Sequence, residues 1–323
     1  VEHRGQRVPT VADLLLLGTE PQLPRHLPAY EVAFQVLRGT DVQVNEFYRK
    51  PLLETFEEVE LQFKPWVVEE ELQVGLFRVP VPNYDRRAFR EALVNALVHR
   101  DFSRLGAVHV KLDSSGLHIS NPGGFIEGVT LDNLLVAPPH SRNPLLADII
   151  KRIGLAERTG RGIDRIYEGM LRYGRPAPDY SLSNASLVSV FLANVAADRD
   201  FLKMVVEQHD RLGDPIVEPL IILARLRDER RLTTSDIAPV LQKSEAQTRT
   251  ILERLLEAGM IEAHGSGRGR SYTLSAGVYQ QSGQKAAYIR QAGFDAIQQE
   301  QMVLKFIASH GGIKREEAMA LCR

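Results

Sequence analysis

The stretch Arg90-Glu91-Ala92-Leu93-Val94-Asn95-Ala96-Leu97-Val98-His99-Arg100-Asp101 decides the fold of this chain. Its apolar residues recur at helical spacing and predict an amphipathic helix with the stripe Leu93, Val94, Leu97 and Val98. Glu91, Asn95 and His99 are each four residues apart, so the helix stacks them on one face, one turn above another. The helix therefore carries a polar column beside an apolar stripe.

A carboxylate and an amide on one helix face suit a buried polar site. The carboxylate of Glu91 can orient and deprotonate a water molecule. The amide oxygen of Asn95 can bind a hard cation such as Mg²⁺. A solvated helix face with a capping Glu91 explains this stretch equally well, and the stretch alone leaves both interpretations open.

Length and composition limit the possible classes of protein. The chain has 323 residues, 44% of them hydrophobic, which predicts two to three domains with substantial cores. Its 40 basic residues nearly balance 41 acidic ones, so a nucleic-acid site would have to be a local patch. The single cysteine, Cys322, excludes a disulfide framework and a cysteine-based zinc site, and it is compatible with the cytoplasm. Apolar runs such as Leu14–Leu17 are too short to cross a membrane, no signal peptide is visible, and a start without Met predicts a fragment.

The first 47 residues contain two candidate elements. The apolar run Thr10–Gly18 predicts either a buried strand or a short helix, and Glu31–Arg38 alternates as a strand does. Two strands rarely form a stable domain alone. This region is therefore either the end of a domain whose first part is missing or an edge added to the domain after it.

The next segment leads into the central helix. Residues 48–78 predict one long helix that is interrupted near Pro65. Two further prolines make residues 78–83 an extended linker. Asp85 is then the predicted N-cap of the central helix.

Two alternating segments after the helix predict an antiparallel strand pair. Residues 107–112 and 117–121 alternate in polarity on either side of the turn Asp113–Gly116. The second strand ends in Asn121-Pro122-Gly123-Gly124, where a glycine pair permits positive φ and the close approach of a ligand to the backbone. A plain turn is the alternative explanation of that pair.

The following segment combines a long loop with a second glycine motif. Residues 125–143 lack periodicity, and loops of this length inside a compact domain are often lids. A short helix, Pro144–Ile153, comes next, and Gly160 and Gly162 stand just before another helix. Glycines at a helix N-terminus expose N–H groups and the positive end of the helix dipole to an anion. Residues 182–193 add one or two strands.

This order of motifs resembles the GHKL ATPase fold of gyrase, histidine kinases and MutL. The resemblance implies that Glu91 activates the attacking water and that Asn95 binds Mg²⁺ beside ATP. It implies an adenine site at the first glycine motif and a phosphate site at the second, with the residues Gly123, Gly124, Gly160, Arg161 and Gly162. The position of the family's adenine-binding aspartate corresponds to Asn121, whose amide oxygen accepts a hydrogen bond without the charge that strengthens it.

Four motifs give a narrower match: Glu-Ala-Leu-x-Asn-Ala-x-x-His-Arg-Asp from Glu91, Ile-Ser-Asn-Pro-Gly-Gly from Ile119, Arg-Asn-Pro from Arg142 and Glu-Arg-x-Gly-x-Gly-Ile from Glu157. Together they resemble the divergent GHKL-type, RecG-like C-terminal domain of bacterial transcriptional regulators, which follows a Schlafen AlbA-type domain and precedes winged helices. Residues 9–18 are similar to the end of that AlbA-type domain, and the resemblance extends to about residue 195. No Gly-x-x-x-x-Gly-Lys-Ser/Thr loop supports the helicase label that this family sometimes carries.

Several polar residues near these motifs have two possible roles. Arg100 can reach a phosphate and His99 can orient Glu91, or the residues close the helix as a structural cluster in which Arg100 pairs with Asp101. Further candidates for lid or phosphate contacts are Arg142, Asn143 and Arg158.

The last third of the chain predicts three helices followed by a β-hairpin, which is the order of a winged helix-turn-helix. The predicted helices are 219–230, 233–241 and 244–258, and the predicted strands are 259–263 and 271–274. The third helix would enter the major groove of double-stranded DNA. Candidate DNA contacts lie near its start and at the hairpin tip: Lys243, Gln247, Arg249, Arg268 and Arg270. The acidic residues Glu245, Glu253 and Glu257 leave protein contacts or dimerisation as an alternative.

The predicted fold class is α+β, a GHKL/Bergerat-like α/β sandwich followed by a winged helix-turn-helix, with a partial AlbA-type segment at the N-terminus. A long helix is predicted over 285–309, and residues 311–321 resemble the start of a second helix-turn-helix. The predicted domains are 1–47, 48–196, 197–277 and 278–323.

Three functions remain open at this point. The first is a cytoplasmic, DNA-binding transcriptional regulator that senses ATP, and the family resemblance adds that it is a homodimer. The second is an active Mg²⁺-dependent ATPase that acts on DNA or a protein client. The third is a degenerate GHKL fold that serves only as a dimerisation scaffold. None of the three involves a membrane.

Overall fold

The structure is a computed structural model, and the residues that it describes are 2–3, 6–156, 161–208, 216–275, 278, 304, 307 and 315. The chain divides into two units, residues 1–202 and 203–323. Arg158 and Gly160 lie outside the described residues, as do all but residues 304, 307 and 315 of the helix predicted over 285–309 and the second helix-turn-helix, so these stay predictions.

Helices and strands are interspersed through the first unit, and its last helix runs into the second. The helices are α1 (Val11–Leu17), α2 (Gln22–His26), α3 (Leu52–Phe63), α4 (Arg86–His99), α5 (Pro144–Arg152), α6 (Gly162–Leu171) and α7 (Arg199–Glu207). The strands are β1 (Glu2–His3), β2 (Gln6–Arg7), β3 (Val32–Arg38), β4 (Asp41–Tyr48), β5 (Glu69–Val74), β6 (Phe77–Pro82), β7 (Val108–Leu112), β8 (Gly116–Pro122) and β9 (Leu187–Ala193).

A five-stranded sheet in the order β4-β3-β7-β8-β9 is the scaffold of the first unit. β3 and β7 are parallel and the other neighbours are antiparallel, so the sheet is mixed. Side chains alternate between its faces, and on β7 this buries Val108, Val110 and Leu112 while His109 is exposed. The α+β class is therefore confirmed.

The central helix α4 begins as its sequence predicts. The carboxylate of Asp85 accepts hydrogen bonds of 2.9 Å from the backbone N–H groups of Arg87 and Ala88, which confirms the N-cap. Beside it, α6 approaches closely because Gly169 has no side chain. A Cβ at that position would lie 2.6 Å from the Cβ of Ala88. The glycine thus allows the two helices to pack backbone to backbone.

The helix predicted over 48–78 is confirmed for its first part as α3, which ends just before Pro65, and is wrong for its second part, which is a β-hairpin. β5 and β6 pair in antiparallel fashion around Gly75, whose φ is 57°. The extended linker predicted over 78–83 is strand β6 and its end. The Glu-rich sequence of β5 favours a helix by local propensity. Only the tertiary burial of Leu72 and Val74 on one side of the strand reverses that preference.

The N-terminal segments belong to this first unit. The run Thr10–Gly18, left open between strand and helix, forms α1, and Thr10 and Asp13 close it with a capping box. The strand predicted over 31–38 is confirmed as β3, and β4, which was not predicted, lies beside it at the sheet edge. Of the two roles left open for this region, β3 and β4 serve as an edge of the main sheet. Its assignment to an AlbA-type domain stays a prediction.

The second unit contains three helices and a three-stranded sheet. The helices are α8 (Val217–Glu229), α9 (Thr234–Leu241) and α10 (Glu245–Glu257). The strands, in the spatial order β10-β12-β11, are β10 (Leu232–Thr233), β11 (Ile261–His264) and β12 (Ser271–Leu274). The three predicted helices and the hairpin strands are confirmed, whereas β10 was not predicted.

Candidate functional site

A cavity of about 590 Å³ lies in the first unit between α4, the sheet, the loop 125–141, α5 and the start of α6. This volume is typical of a small-molecule site. Ile119, Val188 and Val190 form its floor, because they face the helices from β8 and β9. The loop adds a largely apolar wall that includes Phe125, Ile126, Val129, Leu134 and Val136.

The polar column of α4 faces this cavity. Glu91, Asn95 and His99 all line it, so the predicted common face is confirmed. From Glu91 to His99 the helix rises about 12 Å, and the column therefore follows one long wall. Gly124 and Gly162 line the same cavity, so both glycine motifs meet the column there.

Glu91 lies against the start of α6. Its side chain is 6% exposed, and a Cβ at position 162 would overlap its Oε1, so Gly162 makes room for the carboxylate. Burial raises the pKa of Glu91, and the positive charges of Arg165 and Arg90 oppose this only in part. Among the described residues no donor hydrogen-bonds to its carboxylate. A carboxylate with a raised pKa is suited to accept a proton near neutral pH.

The N-terminus of α6 offers a place for an anion. Arg161 is the N-cap residue, and its own side chain makes no capping hydrogen bond. Gly162, Ile163 and Asp164 line the cavity together with Arg161. The N–H groups of a first helical turn and the helix dipole both favour negative charge at this point. The described part of the predicted phosphate motif thus lies at the cavity.

Asn121 supplies the polar group of the cavity floor, where it is 3% exposed. Its Nδ2 donates a hydrogen bond of 3.2 Å to the carbonyl oxygen of Pro122. This bond assigns the orientation of the amide and leaves Oδ1 as an acceptor. No described residue donates to Oδ1. A ligand that carries an N–H group can satisfy it.

The two glycines that follow β8 differ in what they face. Gly123 has a φ of 95°, and a Cβ there would lie 2.6 Å from the Cβ of Asp101, outside the cavity. Gly124 lines the cavity, and a Cβ there would lie 2.5 Å from the carbonyl oxygen of Asn184. Gly123 therefore does not contact adenine as predicted, because the side chain of Asp101 fills the space beside it.

His99 stands at the opposite end of the column from Glu91. Burial lowers the pKa of His99 to about 4, assisted by the charges of Lys151 and Arg142, so its imidazole is neutral at neutral pH. Arg142 donates to the carbonyl oxygens of both His99 and Gly124, which brings this end of α4 to the end of β8. At about 12 Å along the helix from Glu91, His99 is too far away to orient that carboxylate as predicted.

Arg100 has a structural role, with other partners than the predicted one. The side chain is fully buried and donates to the backbone carbonyl oxygens of Ala29, Arg104 at 3.3 Å and Gly106 at 2.7 Å. Asp101 pairs with the side chain of Arg104 at 3.2 Å instead of with Arg100. The guanidinium lies outside the cavity, which corrects the predicted phosphate contact.

Arg142 and Asn143 anchor the loop 125–141 to the end of α4. Nδ2 of Asn143 donates to two carbonyl oxygens at the helix C-terminus, both at 2.8 Å. Arg142 donates to the carbonyl oxygen of Gly124 at 2.8 Å. These bonds satisfy carbonyls that a helix end leaves open. Both side chains therefore hold the base of the loop and do not line the cavity as phosphate contacts.

Tyr180 is a cavity residue that no sequence motif singled out. It is 7% exposed, and its ring packs near Phe125 with 6.4 Å between centroids. Burial raises the pKa of Tyr180 and the nearby charge of Glu91 adds to this, so the hydroxyl stays protonated. The residue lies in an irregular segment, and the pairing of Asp179 with β9 directs it inward. Only that tertiary pairing reveals it.

The donor set of the cavity fits Mg²⁺ bound together with phosphate. Within the described ranges no group of three or more His, Cys, Asp or Glu side chains could hold a metal ion. Asn95 offers one amide oxygen on the cavity wall. Mg²⁺ commonly takes only one or two protein oxygens and completes its shell with water and substrate phosphates. An all-protein metal site is not expected from these residues.

Most of the predicted DNA contacts already have partners within the second unit. Nζ of Lys243 lies 3.4 Å from a carboxylate oxygen of Glu218, and Arg249 lies 3.1 Å from Glu245. Gln247 closes the capping box at the start of α10. Gln247 and Arg249 are nevertheless exposed.

The other two candidate DNA contacts, Arg268 and Arg270, lie between β11 and β12. The guanidinium of Arg270 lies over the ring of Tyr272, 5.5 Å from its centroid. The backbone of Arg268 belongs to a 3₁₀ turn, and its side chain lies outside the described part of the structure. The inward face of α10 carries the buried residues Thr248, Ile251, Leu252 and Leu255.

Residues 106–192 match the model of a family described as "Putative ATP-dependent DNA helicase recG C-terminal" (HATPase_c_4). The segment runs from β7 to β9 and leaves α4 outside. A similar solved structure is the DIP2311 protein from Corynebacterium diphtheriae, a structural-genomics target, with 25% identity and a TM-score of 0.69. The match covers 81% of this chain and 55% of that one, so the chain spans little more than half the length of that protein.

No curated protein matches the chain. None of the described helices is long and apolar enough to pass through a bilayer. The mixed sheet and the family match together define an α+β domain similar to an ATPase family.

Proposed function

We propose that the first unit binds ATP, together with Mg²⁺, in the cavity along α4. One observation carries this proposal: α4, the end of β8, the loop 125–141 and the start of α6 converge on a single cavity. Its polar groups include an acceptor on Asn121 and the N-terminus of α6. The family match over residues 106–192 supports the same ligand class.

The proposal fixes the direction of the nucleotide. The base lies at the His99 end, where Oδ1 of Asn121 accepts from the exocyclic amino group of adenine and the apolar floor contacts the ring. The phosphates lie at the Glu91 end, where the first N–H groups of α6 receive them. Asn95 stands between these ends and would contribute its amide oxygen to Mg²⁺. When bound, that ion would neutralise phosphate charge.

Thermal unfolding with added nucleotide tests this proposal. A ligand that binds only the native protein stabilises it by about 2.7 kcal/mol at a hundredfold excess over Kd, so Mg·ATP is expected to raise Tm in a concentration-dependent way. Asn121→Ala should weaken the effect about fivefold to tenfold, for one lost hydrogen bond. Asn45→Ala is the matched control, since Asn45 lies on β4 and bonds to Gln35. No shift with any nucleotide, or equal effects of the two variants, would contradict the proposal.

Hydrolysis is a second candidate activity of this site, favoured by one observation. Glu91 is buried beside the start of α6 and its pKa is raised, as a general base for water requires. Under this proposal the chain hydrolyses ATP in order to act on DNA or a protein client. Glu91→Ala then abolishes turnover and leaves nucleotide affinity intact. A wild-type protein without turnover would exclude it.

For the second unit we propose a winged helix-turn-helix that binds double-stranded DNA. Its three helices and its three-stranded sheet with a hairpin support this. The exposed pair of Arg249 with Glu245 is worth only a few tenths of a kcal/mol, so Arg249 can leave it to contact a base edge. A protein partner that contacts the acidic residues of α10 is the alternative occupant of this face.

Gel shifts at low salt test the DNA proposal. Arg249→Ala is expected to weaken binding by about 1 to 3 kcal/mol if it reads a base. Arg225→Ala is the control, because Arg225 forms an equivalent exposed pair with Glu229 on α8. Absence of affinity for any genomic fragment would contradict the proposal.

The two proposals combine into a cytoplasmic, homodimeric transcriptional regulator whose DNA affinity responds to nucleotide. The loop 125–141, held at its base by Arg142 and Asn143, is the element that a ligand in the cavity would order. Gel shifts with and without ATP test the coupling. In the remaining alternative the first unit is a dimerisation scaffold, and nucleotide then changes neither Tm nor DNA affinity.

A further inference from the structure

The cavity holds two polar residues with complementary needs, and the charge of one, Glu91, acts on the hydroxyl of the other, Tyr180. Glu91 and Tyr180 both line the cavity and are 6% and 7% exposed. Among the described residues neither side chain has a hydrogen-bond partner. An ionised carboxylate only accepts hydrogen bonds, whereas a phenol can also donate one. The Glu91 carboxylate thus lacks a donor, the Tyr180 hydroxyl lacks an acceptor, and both line the same cavity.

One water molecule in the cavity can satisfy both groups, because their polar atoms open into it. Polar groups of a mostly buried residue that lack a protein partner normally bond to ordered water. Water donates to the carboxylate and accepts from the phenol, and a cavity of this size has room for it. A purely packing role leaves the hydroxyl unexplained, because phenylalanine would fill the same space beside Phe125.

We propose that Tyr180 and Glu91 together hold the water that attacks the terminal phosphate of bound ATP. Tyr180 donates to the water oxygen, and Glu91 accepts one of the water protons. As the water oxygen bonds to the γ-phosphorus, the bond from that phosphorus to the β–γ bridging oxygen breaks and its electron pair leaves with ADP. The proton passes to Glu91, and the products are ADP and inorganic phosphate. This inference rests on the proposed nucleotide site.

The surroundings of both residues fit these roles. Glu91 abuts the N-terminus of α6, where the phosphates are proposed to lie. Its raised pKa makes it a better proton acceptor than an exposed carboxylate. The pKa of Tyr180 is raised as well, so its hydroxyl remains a donor throughout the neutral range.

Tyr180→Phe tests the proposal, with Tyr84→Phe as the matched control. Burial raises the pKa of Tyr84 too, but that residue does not line the cavity. In steady-state hydrolysis Tyr180→Phe is expected to lower kcat at least tenfold, with KM and ADP affinity within about threefold of wild type, because only the transition state loses the bond. Tyr84→Phe should match wild type in all three. Glu91→Gln combined with Tyr180→Phe should be no slower than Glu91→Gln alone, because both serve one water.

Distinct outcomes separate this inference from the proposed function. Nucleotide binding without wild-type turnover overturns the inference and leaves the binding site standing, whereas no nucleotide binding ends both. Equal kcat for the two tyrosine variants also overturns it. If Tyr180→Phe fails to fold, a crystal structure of the wild-type chain with Mg²⁺ and a non-hydrolysable ATP analogue decides instead. A water bonded to both Oη of Tyr180 and the Glu91 carboxylate supports the inference, and its absence overturns it.

Discussion

Polar side chains have opposite surroundings in the cavity of the first unit and on the exposed face of α10 in the second unit. In the cavity, Glu91, Asn121 and Tyr180 are buried and retain hydrogen-bonding groups without described partners. On α10, Gln247 and Arg249 are exposed and bonded to neighbours on their own helix end. A buried group without a partner destabilises the fold by about 1 to 3 kcal/mol. An exposed ion pair contributes about 0 to 1 kcal/mol.

This difference gives the nucleotide proposal stronger structural support than the DNA proposal. Polar groups that open into a cavity without a protein partner are satisfied by a ligand or by ordered water. The exposed pairs of α10 would form on almost any solvated helix, and they are compatible with DNA binding without requiring it. The nucleotide proposal therefore depends on burial and geometry, whereas the DNA proposal depends on fold order and exposed charge.

Arg100 gives the largest expected effect, because it is buried and its Nη2 donates to three backbone carbonyl oxygens, while its Nε and Nη1 have no partner among the described residues. Arg100→Met is expected to destabilise the protein by about 3 kcal/mol, since three backbone carbonyl oxygens lose their donor. Urea denaturation measures this. Arg104→Met is the control, because the Arg104 side chain is half-exposed and bonds only Asp101 among the described residues. Similar losses for both variants would contradict the structural role of Arg100.

Gly162→Ala tests the cavity side of the comparison. The new Cβ would force the Glu91 carboxylate away from α6 and into the space proposed for phosphate. We expect nucleotide affinity to fall about tenfold, or 1.4 kcal/mol, with less than about 1 kcal/mol lost in stability because a flexible side chain gives way. Calorimetric titration checks this. Gly269→Ala is the control, since nothing lies near its position, and equal affinities would contradict the account.

Glu91→Gln is expected to have a smaller effect that depends on pH. Because the folded-state pKa of Glu91 is raised above 4.5, the folded protein binds the proton more tightly than the unfolded chain does. Wild-type stability therefore decreases as pH rises from about 4.5 through the raised pKa, and the glutamine variant avoids that loss. Thermal unfolding should show the variant increasingly more stable than wild type toward neutral pH. A stability difference between the variant and the wild type that stays constant with pH would contradict the burial of this charge.

Gln247→Ala gives the smallest expected effect and tests the exposed face of α10. The side chain completes the capping box of α10, so its loss should reduce stability by about 0.5 to 1 kcal/mol. DNA affinity should stay close to that of wild type, because the amide is already bonded to Ser244. A large loss of DNA affinity without a loss of stability would mean that Gln247 leaves the cap to read a base.

The sequence predicted those features that local chemistry determines. The face shared by Glu91, Asn95 and His99 follows from helical spacing alone, and the cap at Asp85 follows from a single side chain. The strand pair that ends at Asn121 also carries its own alternation and turn.

Other features required contacts between distant segments. Arg100 binds the carbonyl of Ala29, 71 residues away, so the sequence could not separate a phosphate ligand from a structural residue. The β5–β6 hairpin has helix-favouring residues and becomes a strand pair only through burial. Tyr180 joins the cavity through a pairing between an irregular segment and β9, which no local pattern announces.

A crystal structure of the full chain with Mg²⁺ and a non-hydrolysable ATP analogue tests the central claim most directly. The account predicts the adenine amino group within hydrogen-bond distance of Oδ1 of Asn121, about 2.7 to 3.2 Å. It predicts the terminal phosphates at the backbone N–H groups of Gly162 and Ile163. A nucleotide bound elsewhere, or one with its base at α6 and its phosphates at Asn121, would contradict the account.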